Sequence, residues 1–273
     1  MKLTMKTRKR DLNDMLKFNP KILEFHFSDS DLNLELENNF QQELIVHCFE
    51  YFDKKLLDIV SLGETNQIHS REKSLEYIQK AIDKTVSLSE QFQGTPTVIV
   101  HPGGYSLNTL TESDIEKMKN MIVDSVNQLD FKKVNFLLEN MPPYAWFFSG
   151  RWNSNVFLNS NDMKKYCLET GLNVCYDLCH SHLYCNKNSV SVVDELLAIE
   201  KYVEHYHLSD AEGEDGEGLQ FGDGDLPFEK IIPILNKFEN KSFAIEVWKG
   251  HEQKGKGFEE FLDKVTQAGL SIT

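Results

Sequence analysis

Eight short apolar runs of strand type recur along the 273-residue chain, and helical periods separate most of them. The runs are KLTMKT from Lys2, KILEFHF from Lys21, ELIVHCF from Glu43, PTVIVH from Pro96, KVNFLLEN from Lys133, LNVCYD from Leu172, VEHYHLSD from Val203 and SFAIEVW from Ser242. Helical spacing covers Ser70 to Phe92, Thr111 to Leu129 with TESD as its N-terminal cap, Ser160 to Glu169, and Phe228 to Phe238. Strands that alternate with helices pair in parallel, and a count of eight favours closure into a single (β/α)8 barrel, the TIM-barrel architecture, over residues 1–273. An open doubly wound sheet is the other arrangement, but no Gly-x-Gly-x-x-Gly follows the first strand, and HPGG at His101 to Gly104 is not that motif. The first run is the weakest. MKTRKRDLNDMLKFNP supplies a short strand and an abbreviated helix, or else the barrel is irregular there.

In such a barrel chemistry sits at the C-terminal ends of the strands. Six of the eight runs end in a side chain able to bind a metal: His47, His101, Glu139, Asp177 with His180 beyond it, His207 with Asp210 beyond it, and Glu246. One His or Glu at a strand end is ordinarily a hydrogen-bonded structural residue. Repetition across successive strands is different, because a closed barrel gathers these ends into one basin. Several carboxylates in one basin repel unless a cation neutralises them. Oxygen and imidazole donors together suit Mn, Mg, Co, Zn or Fe without choosing among them.

Composition excludes some partners. The net charge of -14, from 29 basic and 43 acidic residues, opposes binding to a phosphate backbone, so no nucleic acid is expected. No apolar run is long enough to span a bilayer, and no apolar segment follows the basic MKLTMKTRKR to make a secretory signal. Cys48, Cys167, Cys175, Cys179 and Cys185 are odd in number and lack zinc-ribbon spacing. Unpaired buried thiols suit a reducing compartment, and a cytoplasmic protein is expected. The acidic, Gly-rich stretch from Asp210 to Phe228 is the one long loop signal, and reads as an ordered loop that shapes a pocket.

From about Leu44 to Trp248 the chain resembles the xylose-isomerase-like barrel superfamily (AP endonuclease family 2), in which sugar isomerases and epimerases stand beside the endonuclease IV group. VHC, VHPGG, LLEN, CYDLCH, HLSD, FGDG and IEVW carry the resemblance. It implies a divalent metal ion, one per chain or at most two, held by Glu139, Asp177, His207 and Glu246. His180 resembles the histidine that follows the sixth-strand Asp, a further ligand in the endonucleases and a substrate contact in the epimerases. His47 and His101 match the third- and fourth-strand histidines of the endonuclease pattern, for a second metal or for substrate. That pattern also needs an Asp-x-His before its Gly-rich turn, and here those two positions fall on Gly216 and Gly218. A three-zinc phosphodiesterase centre is therefore not expected.

The resemblance thus implies a metal-dependent isomerase or epimerase of a small sugar or sugar phosphate. Catalysis would be proton abstraction next to a carbonyl through an enediolate, with Glu139, Glu246 and His180 as catalytic groups. The alternatives are an endonuclease IV-like phosphodiester hydrolase, a barrel in which both glutamates are plain ligands, and a non-enzymatic relative that binds a carbohydrate or a partner protein, against which the four convergent ligands argue. The aromatic stretch PPYAWFFSGRW puts Trp146, Phe147, Phe148, Arg151 and Trp152 after the fifth strand, as a sugar-site wall, a lid or a homodimer contact. Trp146 is a candidate substrate contact, and Arg151 and Lys249 are candidate partners of a substrate phosphate or carboxylate. His69, His182, His205 and His251 read as structural or exposed, with His205 on the strand face of His207 and one layer deeper or beside it.

Overall fold

The computed structural model describes residues 1–273. Eight parallel strands close into a barrel: β1 Lys2–Thr7, β2 Ile22–His26, β3 Glu43–His47, β4 Gln93–Val100, β5 Asn135–Glu139, β6 Val174–Asp177, β7 Val203–Leu208 and β8 Ser242–Ile245. Neighbours in sequence are neighbours in space, and β8 closes on β1 through Lys2↔Ser242, Leu3↔Phe243 and Thr4↔Ala244. Each of the eight runs read from the sequence holds one barrel strand. The eighth is shorter than its run, since Glu246 lies one residue past β8, held by a bond from its N–H to the Leu208 carbonyl at 3.0 Å.

The side-chain period of two sorts every strand into an inner and an outer set. Leu23 and Phe25 of β2 face outward into the large core shared with the helices, whereas Ile22 faces the barrel interior with Ile45, Ile99, Leu137 and Cys175. The same parity puts Lys6, Glu24, His47, Glu139, Asp177 and His207 one layer above that apolar plug. The barrel is thus sealed below by aliphatic side chains and polar above.

The outer ring comprises α1 Leu12–Met15, α2 Arg71–Ser89, α3 Glu112–Val126, α4 Ser160–Thr170, α5 Leu178–Asn188, α6 Val192–Ile199, α7 Phe228–Leu235 and α8 Glu252–Gln267. Side-chain caps start several of them: Ser70 accepts from Lys73 N–H, Thr111 from Asp114 N–H and Asn159 from Asp162 N–H. The expected irregularity lies elsewhere than the first strand. β1 is regular, α1 is a single turn that continues as a 3-10 turn at Leu16–Phe18, which a left-handed Asn19 and then Pro20 bring to an end, and the β2–β3 crossover has only a 3-10 turn at Asp29–Asn33. That crossover sequence, SDSDLNLELENN, is rich in Asp and Asn, which favour turns over helix interiors.

Three antiparallel additions cover the C-terminal face. Tyr51–Phe52 pairs with Lys55–Leu56, Tyr105–Ser106 and Tyr144–Phe147 flank Gly150–Ser154, and Asp210–Glu212 pairs with Gly216–Leu219. The aromatic stretch read as a loop is therefore a hairpin. Gly103 and Gly104 of HPGG both have positive φ, and a Cβ on either would lie 2.7 Å from Asp58 or Val156, which explains the pair without any phosphate. All five cysteines are buried and free.

Candidate functional site

Asp177 ends β6 and starts α5. Its Oδ1 accepts from His180 N–H at 2.6 Å, so one carboxylate caps the helix and sets His180 beside itself. Asn140 locks this corner: its side chain donates to the Asp177 carbonyl at 2.9 Å and accepts from Asp177 N–H at 2.7 Å. The Asn140 carbonyl lies 2.9 Å from His180 Nδ1, leaving Nε2 to face Glu217 Oε2 at 3.9 Å. The segment CYDLCH is thus a strand end and a helix start pinned together, with no cysteine taking part.

Glu139, Asp177, His207 and Glu246, from four separate strand ends, each place one donor atom within 4.8 Å of the others. His207 Nδ1 is 3.1 Å from Glu139 Oε1 and 3.4 Å from Glu246 Oε2. His47, His101 and Glu139 form an adjoining group, with His47 Nε2 at 3.1 Å and His101 Nε2 at 3.4 Å from Glu139 Oε2. Glu139 therefore sits between two donor sets.

The electrostatics favour a cation here. Burial works against a charge on Glu139, yet His207 and His101 hold its carboxyl well below the usual carboxylate range. Burial also opposes protonating His207, and Cys175 with the carboxylates of Glu139 and Glu24 overcomes it, raising the imidazole well above its ordinary value. A proton on His207 thus offsets the surrounding carboxylates, and a divalent ion in this basket would displace it. Both ring nitrogens of His101 are buried, and apart from the poorly aligned 3.4 Å approach of Nε2 to Glu139 they lack a hydrogen-bond partner; such groups are costly unless something satisfies them. The donor set fits a hard or borderline divalent ion, and Glu139, Asp177, His207 and Glu246 are the residues that would hold it.

Three residues that sequence reasoning passed over complete the basin. Glu24, fully buried on β2, lies 3.2 Å from His207 Nε2 and 3.0 Å from His205 Nε2, and His205 Nδ1 faces Ser242 Oγ at 2.7 Å. His205 is therefore one layer below His207, and Glu24 orients both imidazoles. Lys6 of β1 places its ammonium against the Glu246 carboxylate and 3.8 Å from Glu24. Glu217 comes from the Gly216–Leu219 strand, where burial, with Glu50 and Asp177 nearby, pushes its carboxyl up to about 7. A charged residue of inward parity inside an apolar run was the available signal for Glu24 and Lys6. No signal marked Glu217, which arrives from a distant loop.

Other candidates are placed differently from expectation. A cavity of about 570 Å³ opens above the basket, lined by His47, His101, Asp177, His180, Trp146 and Lys249 among others. Arg151 is not among its lining residues. Arg151 pairs with Asp215 at 3.1 Å and stacks over Tyr144 at 4.3 Å, whereas Trp146 and Lys249, the other two candidate substrate contacts, line the cavity. His251, read as structural or exposed, lines the cavity. Trp152 is buried in a small apolar cluster, and Phe148 lies edge-on to Tyr51. Asp210 is no ligand, because its carboxylate accepts from the N–H groups of Ala211, Gly222, Gly224 and Leu226. The Gly-rich loop does bind an anion, and that anion is its own aspartate. Gly218 has φ +71°, and a Cβ there would fall 1.6 Å from Trp248 Cδ1, so the indole fills the space of a side chain at this position.

Comparison with known proteins agrees with this fold. An uncharacterized protein of Methanocaldococcus jannaschii, MJ1614, is 24% identical over 212 residues, which span 76% of this chain and 72% of that protein. A D-tagatose 3-epimerase-like protein superposes with a TM-score of 0.70 at 18% identity, covering 98% of this chain and 99% of the other. Endonuclease IV from Thermus thermophilus superposes with a TM-score of 0.66 at 14% identity, covering 98% and 100%. At these identities the solved structures speak for the fold. The sequence itself matches the family model described as a xylose isomerase-like TIM barrel over residues 18–266, and the chain accordingly belongs to that family.

Proposed function

We propose that this protein is a metal-dependent isomerase or epimerase of a small sugar. The observation that carries the reading is the convergence of two carboxylates, Glu139 and Glu246, on His207 Nδ1, with Glu246 and Asp177 of the same donor group lining a cavity of sugar size. Glu139, Asp177, His207 and Glu246 would hold a divalent cation, whose chemistry is to polarise a carbonyl and the C–H bond beside it. Glu246 takes the proton from that carbon on one carboxylate oxygen and returns it to the adjacent carbon in an isomerisation; in an epimerisation Glu246 would keep that proton, and a second proton, reaching the opposite face from solvent by way of Glu139, would replace it on the same carbon. Lys6 holds Glu246 in place, and Glu24 fixes the His207 ring. His180 Nε2, free of the backbone contact made by Nδ1, faces the cavity as a hydrogen-bond partner for a substrate oxygen. Trp146, Phe147 and Trp248 line the walls, where ring faces pack on sugar C–H surfaces. The likeness to a D-tagatose 3-epimerase-like protein supports the same reading.

A three-metal phosphodiester hydrolase is disfavoured by Trp248, whose indole occupies the space a ligand at Gly218 would need, and by the net charge of -14. Turnover of a ketose panel with added Mn or Co tests the proposal. Glu246→Gln should lower kcat by about 10²- to 10⁴-fold, the usual worth of a positioned acid–base group. Wild-type turnover by the purified variant would remove Glu246 as a base.

A further inference from the structure

Charge is unevenly divided around the mouth of the barrel. The arc β4–β7 contributes His101, Glu139, Asp177 and His207. The adjoining arc β8–β1–β2 contributes Lys6, Arg8, His26, Lys249 and His251 to the same cavity wall. Lys6, Arg8 and Lys249 make this the basic side of the cavity in a chain of net charge -14. The acids on this arc are already engaged. Glu246 is taken by Lys6, and Asp11 Oδ1 accepts from Thr7 Oγ1 at 2.8 Å and from Arg8 N–H at 2.6 Å. Neither Arg8 nor Lys249 has a salt-bridge partner within 4.0 Å, whereas Lys6, the other Lys or Arg side chain on the cavity wall, is paired with Glu246 and Glu24. The Arg8 guanidinium is fixed rather than loose, since Nη1 donates to the His26 carbonyl at 2.9 Å and leaves its other N–H groups free. Lys249 is held at the rim by a left-handed backbone, φ +58°, a costly conformation for a non-glycine residue and one that concentrates at functional sites.

We propose that Arg8 and Lys249 form an anion grip, so that the substrate is a sugar carrying a phosphate or a carboxylate at the end remote from the reacting carbon. The inference rests on the reading of the cavity as a sugar site. It gives the role to Arg8, which sequence reasoning did not single out, rather than to Arg151, which pairs with Asp215. A planar guanidinium and a point-charge ammonium together suit a tetrahedral phosphate or a carboxylate, each oxygen accepting a charge-assisted bond.

The test separates the grip from the chemistry. Inorganic phosphate, a ketose phosphate, a sugar acid and the neutral parent ketose are titrated against the full chain. Tryptophan fluorescence reports binding, because Trp248 adjoins Lys249. Phosphate and one of the two charged sugars should bind, and Arg8→Gln and Lys249→Gln should each weaken them about 10- to 100-fold, the worth of one hydrogen bond to a charged group. Lys9→Gln, exposed and outside the cavity, should leave binding unchanged. Arg8→Lys and Lys249→Arg, which keep the charge, should retain most of the affinity and guard against loss by misfolding. Whichever charged sugar binds tighter identifies the anionic group. Binding of phosphate that is absent, or equal in the Gln variants and the parent, overturns the grip. A neutral ketose turned over as well as its charged counterparts also overturns it while leaving the proposed reaction intact. Anion binding with the expected variant pattern, but no turnover of any ketose, upholds the grip and removes the proposed reaction.

Discussion

Replacing Glu24 by Gln is the sharpest test of how the basket is held. The carboxylate is completely buried and lies 3.2 Å from His207 Nε2 and 3.0 Å from His205 Nε2. With Nε2–H donating to Glu24, the lone pair of His207 is left on Nδ1, the nitrogen that faces Glu139 and Glu246. Gln keeps the shape and one accepting oxygen but removes the charge, so the ring stays and its basicity falls. Partners that orient a ligand histidine are typically worth 10- to 100-fold in metal affinity, or about 1.4–2.7 kcal/mol. Glu24→Ala removes the acceptor as well and strands two buried imidazole N–H groups, at about 1–3 kcal/mol each. Its Tm should fall by on the order of 10 °C in a chain of this length. The assay is calorimetric titration of chelator-treated protein with Mn or Zn, beside thermal melts with and without metal. Metal affinity within twofold of the parent in Glu24→Gln would refute the argument and reduce Glu24 to a structural residue.

Two further outcomes are expected. Burial and neighbouring acids push the Glu217 carboxyl from its ordinary value of 4.5 up to about 7, so the native state binds that proton more tightly than the unfolded chain does. Its ionisation then costs stability as pH rises from about 4.5 to about 7, and Glu217→Gln should flatten Tm against pH over that window in metal-free buffer. Parallel curves for parent and variant would show that Glu217 does not titrate there. Gly218→Ala adds a Cβ where the Trp248 ring lies and demands positive φ of an alanine, so it should cost about 1–3 kcal/mol and shift tryptophan fluorescence. An unchanged spectrum with unchanged Tm would mean that the indole is not held against the glycine.

Much of the site was legible because a strand's side chains alternate. His47, Glu139, Asp177 and His207 end apolar runs, and the same parity aims all of them inward once the strands close. Glu24 was equally readable in principle, as one charge amid ILEFH, but an acid inside an apolar run has meaning only when its partners are known. Those partners, His205 and His207, lie more than 180 residues away. The pairing of Arg151 was hidden for a related reason: its sequence neighbours are aromatic residues near the cavity, and its salt-bridge partner, Asp215, belongs to another loop.

The order of strands, the caps and the inward parity are local properties. They follow from side-chain spacing and from which groups can satisfy a helix end, and they belong to the sequence alone. Which arc of the mouth is cationic, which acid is spent on a Gly-rich loop and which glycine lies under an indole are settled by closure of β8 on β1 and by hairpins that fold back over the face. Those contacts join residues far apart in the chain, and their energies depend on burial and distance, quantities that exist only once the barrel has formed.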